Sequence, residues 1–138
     1  MAKTEFFIAM IPPTTTFQDK KITIKNNKAM IYSSPELKAV RVKLTAHLAK
    51  HVPEQKYTGA VQLVTKWLFP RTGGHRDGEP KTTRPDLDNL TKLFLDCCTE
   101  LGYWNDDATI TSLIVEKFWS AVPGIYVKIE PLGEISEV

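Results

Sequence analysis

Apolar side chains dominate residues 5–11 (EFFIAMI), the pattern of a buried strand, and Pro12-Pro13 ends it. Residues 21–25 (KITIK) alternate charged and apolar positions, as a half-exposed strand does. Asn26-Asn27 reads as a turn, and residues 29–32 (AMIY) pair back as a hairpin. Ser34-Pro35-Glu36 supplies a cap, a first-turn proline and an early acid, opening a helix that runs to about Lys50. Leu37, Val40, Leu44 and Leu48 give that helix one apolar face, and Pro53 stops it. Residues 60–69 (AVQLVTKWLF) have the β-branched and aromatic content of a strand near the centre of a sheet. Asp88 or Asn89 caps a second helix reaching about Leu101, with Leu90, Leu93, Phe94, Cys97 and Leu101 inward and Gly102 as the stop. After a turn over residues 103–107, residues 110–119 (ITSLIVEKFW) and 125–129 (IYVKI) read as strands joined across Pro123-Gly124.

These elements predict an α+β chain: one domain over residues 1–138, with a mixed sheet of about four to six strands and two principal helices. A length of 138 residues, 42% of them apolar and 25% charged, suits one globular domain with a real core. Apolar runs fall far short of the ~20 residues a membrane span needs. Met1-Ala2-Lys3-Thr4-Glu5 has no signal-peptide character, so cytoplasmic residence is expected. Cys97 and Cys98 are adjacent within the second helix and point about 100° apart, which argues against a structural disulfide between them. No histidine is spaced to complete a zinc site, so Cys97 is expected to pack as a small apolar residue.

Residues 70–84 have almost no apolar content and are expected to form a mobile basic loop, and residues 133–138 a frayed tail. The net charge of +2 is too small to announce a polyanionic partner; its distribution says more. Arg71, His75, Arg76, Lys81 and Arg84 follow Lys66 in one segment, and Lys20, Lys21, Lys25 and Lys28 form a second basic group near the amino terminus. Positive segments flanking an acidic centre fit a cation site that also holds a polyanion. Taken alone, either segment reads equally as a solvated polar loop.

The acidic centre is Asp86-Leu87-Asp88-Asn89 at the start of the second helix, with Asp106-Asp107 just beyond its end. Crowded carboxylates repel one another unless a proton or divalent cation intervenes. Oxygen ligands without thiolate or imidazole favour Mg²⁺, with Mn²⁺ a plausible substitute. If the backbone stays extended through Asp88, Asp86 and Asp88 share a face while Leu87 points into the core. Lys92 lies one helical turn further on, where its ammonium can reach a phosphate. The chemistry suggested is metal-assisted attack on a phosphodiester. An EF-hand is excluded because Leu90 and Thr91 stand where an oxygen ligand and glycine are required. An aspartyl-phosphate phosphatase is disfavoured by the polar, proline-ended stretch before Asp86. A helix cap plus a surface turn explains each piece separately and stays open.

RPDLDNLTK, then LD, Gly102 and NDDATI, resembles the RusA family of Holliday junction resolvases: a basic residue, proline, D-x-D-N-L-x-K, and a D-D pair about twenty residues later before a strand. The block covers about a quarter of the chain. The resemblance implies a RusA-like fold and a Mg²⁺-dependent, homodimeric endonuclease that nicks opposing strands of a four-way DNA junction in recombination and repair. It carries the metal-ligand role to Asp86, Asp88 and Asp107, with Asp106 an auxiliary candidate, and the essential lysine to Lys92. Asn89 matches the family asparagine, assigned to capping. Lys20, Lys21, Lys25, Lys28, Arg71, Arg76, Lys81 and Arg84 become the candidate DNA contacts. Gln18-Asp19-Lys20-Lys21 stands where relatives often carry a basic, proline-containing stretch. Trp104, Phe118 and Trp119 are candidates for a dimer surface, though strand aromatics more often belong to the core. Alternatives are a less selective branched-DNA nuclease and a catalytically silent junction-binding protein.

Overall fold

The computed structural model describes residues 2–14, 21–25, 28–32 and 34–133, and between 21 and 32 the backbone alone. Six strands and two helices follow in the order β1 (Thr4–Ile8), β2 (Lys21–Lys25), β3 (Lys28–Tyr32), α1 (Pro35–Ala49), β4 (Val61–Pro70), α2 (Leu87–Leu101), β5 (Ile110–Ser120) and β6 (Gly124–Pro131). β2 and β3 pair antiparallel as a separate two-stranded sheet. The other four form a mixed sheet in the order β1-β6-β4-β5, with β4 interior, as its apolar content predicts. β1–β6 and β6–β4 are antiparallel, whereas β4 and β5 are parallel and need a crossover. α2 is that crossover. Gly124 begins β6 because a side chain there would meet the Phe7 ring at 2.1 Å and the Ile8 carbonyl at 2.7 Å.

α1 opens as its sequence dictates. Ser34 is extended, its Oγ accepts from the Leu37 amide at 3.1 Å, and Pro35 follows in the first turn. Leu37, Leu44 and Leu48 pack with Leu90, Leu93, Phe94, Cys97 and Cys98 of α2 against Leu63 and Trp67 of β4 and Ile125, Val127 and Ile129 of β6. Both cysteines are free and buried. No described helix is long and apolar enough to cross a membrane.

Three expectations about β1 and α2 need correction. The first strand ends at Ile8, where the Met10 amide turns back to the Ile8 carbonyl at 3.1 Å, rather than at Ile11. α2 begins at Leu87 with Asp86 as its cap, so only Asp86 is extended and Asp88 is already helical. Acidic residues suit those positions because the exposed amides of a first turn carry partial positive charge. Leu87, expected to point into the core, is 36% exposed, since it opens the helix one turn before the first buried residue, Leu90.

The segment expected to be a mobile loop is instead laid along β5. Amide–carbonyl bonds join Arg71 to Ser120, Gly78 to Trp119, Trp119 to Glu79 and Lys81 to Lys117, at 2.8–3.1 Å. The Asp77 carboxylate accepts from the Ala121 amide at 2.8 Å, and the His75 ring stacks on Trp119 at 4.3 Å. A core of its own is not required. The outer edge of β5 offers unpaired backbone groups, and the segment satisfies them. The Asn26-Asn27 turn and residues 134–138 lie outside the described residues.

Candidate functional site

The amino-terminal end of α2 is fixed by two lysines. Lys117, half-buried on β5, donates through Nζ to the carbonyls of Thr83 at 2.6 Å and Pro85 at 2.7 Å. Lys81 donates to the Arg84 carbonyl at 2.6 Å and the Thr83 hydroxyl at 2.5 Å. Three successive carbonyls before Asp86 are thereby held. Asp86 is extended (φ −75°, ψ 149°), and its carbonyl accepts the first helical bond, from the Leu90 amide at 3.1 Å. Asp86, Asp88 and Lys92 are all exposed at this end, while Asn89 is half-buried in the first turn.

The other acidic pair sits beyond the opposite end of α2. Gly102 takes the left-handed conformation (φ 88°) that lets the Tyr103 amide close back on the Cys98 carbonyl at 3.0 Å. Tyr103 Oη, buried, donates to the Leu48 carbonyl at 2.6 Å, and Trp104 Nε1 donates to Thr99 Oγ1 at 2.8 Å. These anchors deliver Asp106 and Asp107 onto a single 3-10 turn, Asp107–Thr109, which Asp106 caps by accepting from the Ala108 amide at 2.9 Å. Asp107 is exposed and lines an open cleft with Asp96, Asp106 and Arg41. Partial desolvation raises its carboxyl above the ordinary 3.8, aided by a hydrogen bond with Asp106 and the charges of Asp106 and Asp96. A carboxyl that is hard to ionise among other carboxyls suits a divalent cation.

One chain does not bring the two acidic sets together. α2 has 15 residues, which at 1.5 Å each is about 22 Å. β5 gives the same answer: Lys117 is bonded to Pro85, and seven strand residues of about 3.3 Å separate Lys117 from Ile110, next to the Asp107 turn. Among the described residues, no group of three or more histidine, cysteine, aspartate or glutamate side chains is placed to hold one metal ion.

The basic candidates divide. Arg71, Arg76 and Arg84 are exposed, the first two in the segment bonded along residues 117–120 of β5 and the third two residues before Asp86. Lys81 is 8% exposed, its Nζ 4.5 Å over the Trp119 ring and 5.1 Å over Phe69, and burial followed by the Lys117 charge lowers its pKa. It braces the segment and does not face a polyanion. Lys21, Lys25 and Lys28 lie on the β2–β3 hairpin, but their side chains, like the whole of Lys20, lie outside the described residues. Of the aromatic candidates, Trp104 is core and Phe118 and Trp119 are half-buried.

Sequence reasoning missed Lys117 and Asp96. A lysine amid the apolar run of β5 was the available signal for the first; the second stood out only as an ordinary helix acid four residues after Lys92.

The model of the family described as Endodeoxyribonuclease RusA matches residues 11–130, which include both acidic sets. The chain is 32% identical over 117 residues to a protein of Lactococcus phage r1t named crossover junction endodeoxyribonuclease rusA, covering 83% of this chain and 88% of that protein. It is 28% identical over 122 residues to the uncharacterized protein YqaN of Bacillus subtilis (strain 168), covering 80% of this chain and 85% of that one. A match over nearly the whole domain, together with DLDN and Lys92 at the start of the crossover helix and the second aspartate pair beyond its end, means that the chain belongs to the RusA family of endodeoxyribonucleases.

Proposed function

We propose that this protein is a Mg²⁺-dependent endodeoxyribonuclease that resolves four-way DNA junctions by paired symmetric nicks in recombination and repair, acting as a homodimer in the cytoplasm. The observation that carries the reading is the placement of exposed acids at both ends of α2, about a helix length apart. In a two-fold dimer whose α2 helices run antiparallel, Asp86 and Asp88 of one chain lie beside Asp107 of the partner subunit, and the exchange occurs twice. Two equivalent centres result, matched to the approximate two-fold symmetry of a junction. Leu113 and Ile114 of edge strand β5, 47% and 43% exposed, offer apolar surface for such contact.

Asp86, Asp88 and Asp107 would hold the cation; Asp106, already committed to its turn, supports Asp107. Bound Mg²⁺ supplies Lewis acidity for hydrolysis of the phosphodiester. Lys92 offsets charge building on the scissile phosphate. A water oxygen bonds to phosphorus and the bond to the 3′ oxygen breaks, leaving a 5′-phosphate and a 3′-hydroxyl. Arg71, Arg76 and Arg84 hold the arms through phosphates, so affinity falls steeply with salt.

The test incubates the protein with a synthetic four-way junction, a fork and linear duplex, with and without Mg²⁺. Symmetric incision of the junction alone is expected, and Asp86→Asn should abolish it while junction affinity is kept. Equal cutting of the fork would make the protein a general branched-DNA nuclease. Undiminished cutting by Asp86→Asn would overturn the metal site.

A further inference from the structure

Lys117 stands 31 positions after Asp86 in the chain, yet its ammonium is bonded to the carbonyl of the residue immediately before it. With Lys81 it engages every carbonyl from Thr83 to Pro85, through bonds of 2.6–3.4 Å. The segment they hold lacks regular structure and has exposed side chains at Thr82, Thr83 and Arg84, with Pro85 alone buried, so the lysine–carbonyl bonds are its main polar ties to the rest of the chain. Asp86 projects from the last peptide of that segment and starts α2 without capping it through its own side chain. The backbone entering Asp86 fixes the position of its Cα and the direction in which its side chain leaves the chain.

From this geometry we infer that Lys117, seconded by Lys81, is a positioning residue: it fixes the backbone from which the cation ligand Asp86 projects. The inference rests on the proposed metal site. Both ammonium groups are turned toward the chain itself. Lys81 is enclosed by Phe69 and Trp119, and Lys117 spends two donors on carbonyls. The arrangement ties the cation site to β5, the strand whose other end begins beside the Asp107 turn. One strand thus registers both acidic sets. Groups that orient metal ligands without touching the metal commonly change affinity for it by about 10–100-fold when removed.

The test compares wild type with Lys117→Met and Lys117→Arg in three measurements. These are the Mg²⁺ concentration for half-maximal junction incision, Mn²⁺ binding to the DNA-free protein by electron paramagnetic resonance, and metal-free junction affinity by fluorescence anisotropy. Lys117→Met should raise the Mg²⁺ requirement and weaken Mn²⁺ binding about tenfold, with incision at saturating metal within about threefold of wild type. Lys117→Arg, which keeps two donors, should restore both. Junction affinity without metal should not change. Unaltered metal binding in Lys117→Met would overturn the inference, as would weaker metal-free junction affinity with a shallower salt dependence, the mark of a phosphate contact. If Lys117→Met fails to fold, Lys117→Thr, a good strand former, is judged by the same criteria. Wild type that cuts no branched DNA with Mg²⁺ sinks the parent reading; wild type that cuts, with an unmoved Lys117→Met, sinks only this one.

Discussion

The ammonium of Lys81 lies 4.5 Å over the ring of Trp119, and the same ring stacks on His75 at 4.3 Å. A charge buried in this way is matched by the π-face and by the carbonyls it bonds, and is withdrawn from solvent. Lys81 therefore belongs to the framework, unlike the exposed arginines around it.

That assignment separates two kinds of basic residue experimentally. Lys81→Met should lower thermal stability while leaving the slope of log affinity against log salt unchanged. Arg71→Ala, Arg76→Ala and Arg84→Ala should each leave stability alone and flatten the slope by about one unit if each meets one phosphate. Junction titrations at several salt concentrations decide it.

Asp107 makes a pH-dependent cost. Its carboxyl titrates above 3.8 in the folded chain because of desolvation, the hydrogen bond with Asp106 and the charges of Asp106 and Asp96. Below 3.8 the group is protonated whether folded or unfolded and costs nothing; once pH has risen past the raised value, the ionised form carries the full cost. Asp107→Asn should accordingly stabilise the metal-free protein at pH 7 and not at pH 3. The gain should not exceed about 0.5 kcal/mol for so exposed a group, or about 2 °C in Tm. Melting curves in chelator at both pH values measure it, and the same variant should lose incision.

The shared-site dimer predicts complementation between two dead proteins. Asp88→Asn and Asp107→Asn homodimers should both be inactive. A mixed dimer contains one centre with both defects and one with neither, so mixing after subunit exchange should restore nicking at a single strand without paired resolution. Sites complete within each chain would give no recovery at all.

Tyr103→Phe probes the anchor beneath the second acidic pair. Loss of the buried bond to the Leu48 carbonyl should cost about 1–2 kcal/mol, since that acceptor is left without its strongest donor. Denaturant unfolding should show a lower midpoint with an unchanged slope.

Periodicity made the elements of this fold legible. Leu37, Leu44 and Leu48 mark α1 at helical spacing, and Gly102 ends α2 where a left-handed residue is needed. The acids themselves were visible in DLDN and Asp106-Asp107. Their placement at opposite ends of one helix was legible as well; what the sequence does not carry is which other groups stand beside each set, because that depends on packing and not on spacing. The start of α2 lies two or three residues earlier than expected, since Asp86, Asp88 and Asn89 are equally good caps and only the backbone decides between them. Lys117 escaped notice for a different reason: it bonds main-chain carbonyls, which carry no side-chain signature for a reader of sequence to match. The same holds for residues 78–81, whose hydrogen bonds to β5 run through peptide groups.

As the crossover between parallel strands, α2 is also a ruler with a fixed number of graduations. Inserting a single residue between Asn89 and Glu100 would lengthen it by about 1.5 Å and twist one acidic set by about 100° relative to the other. The hydrophobic stripe would be torn out of phase by the same rotation. Natural variation in this family should therefore tolerate length changes in the connections on either side of the rod, and reject them within it.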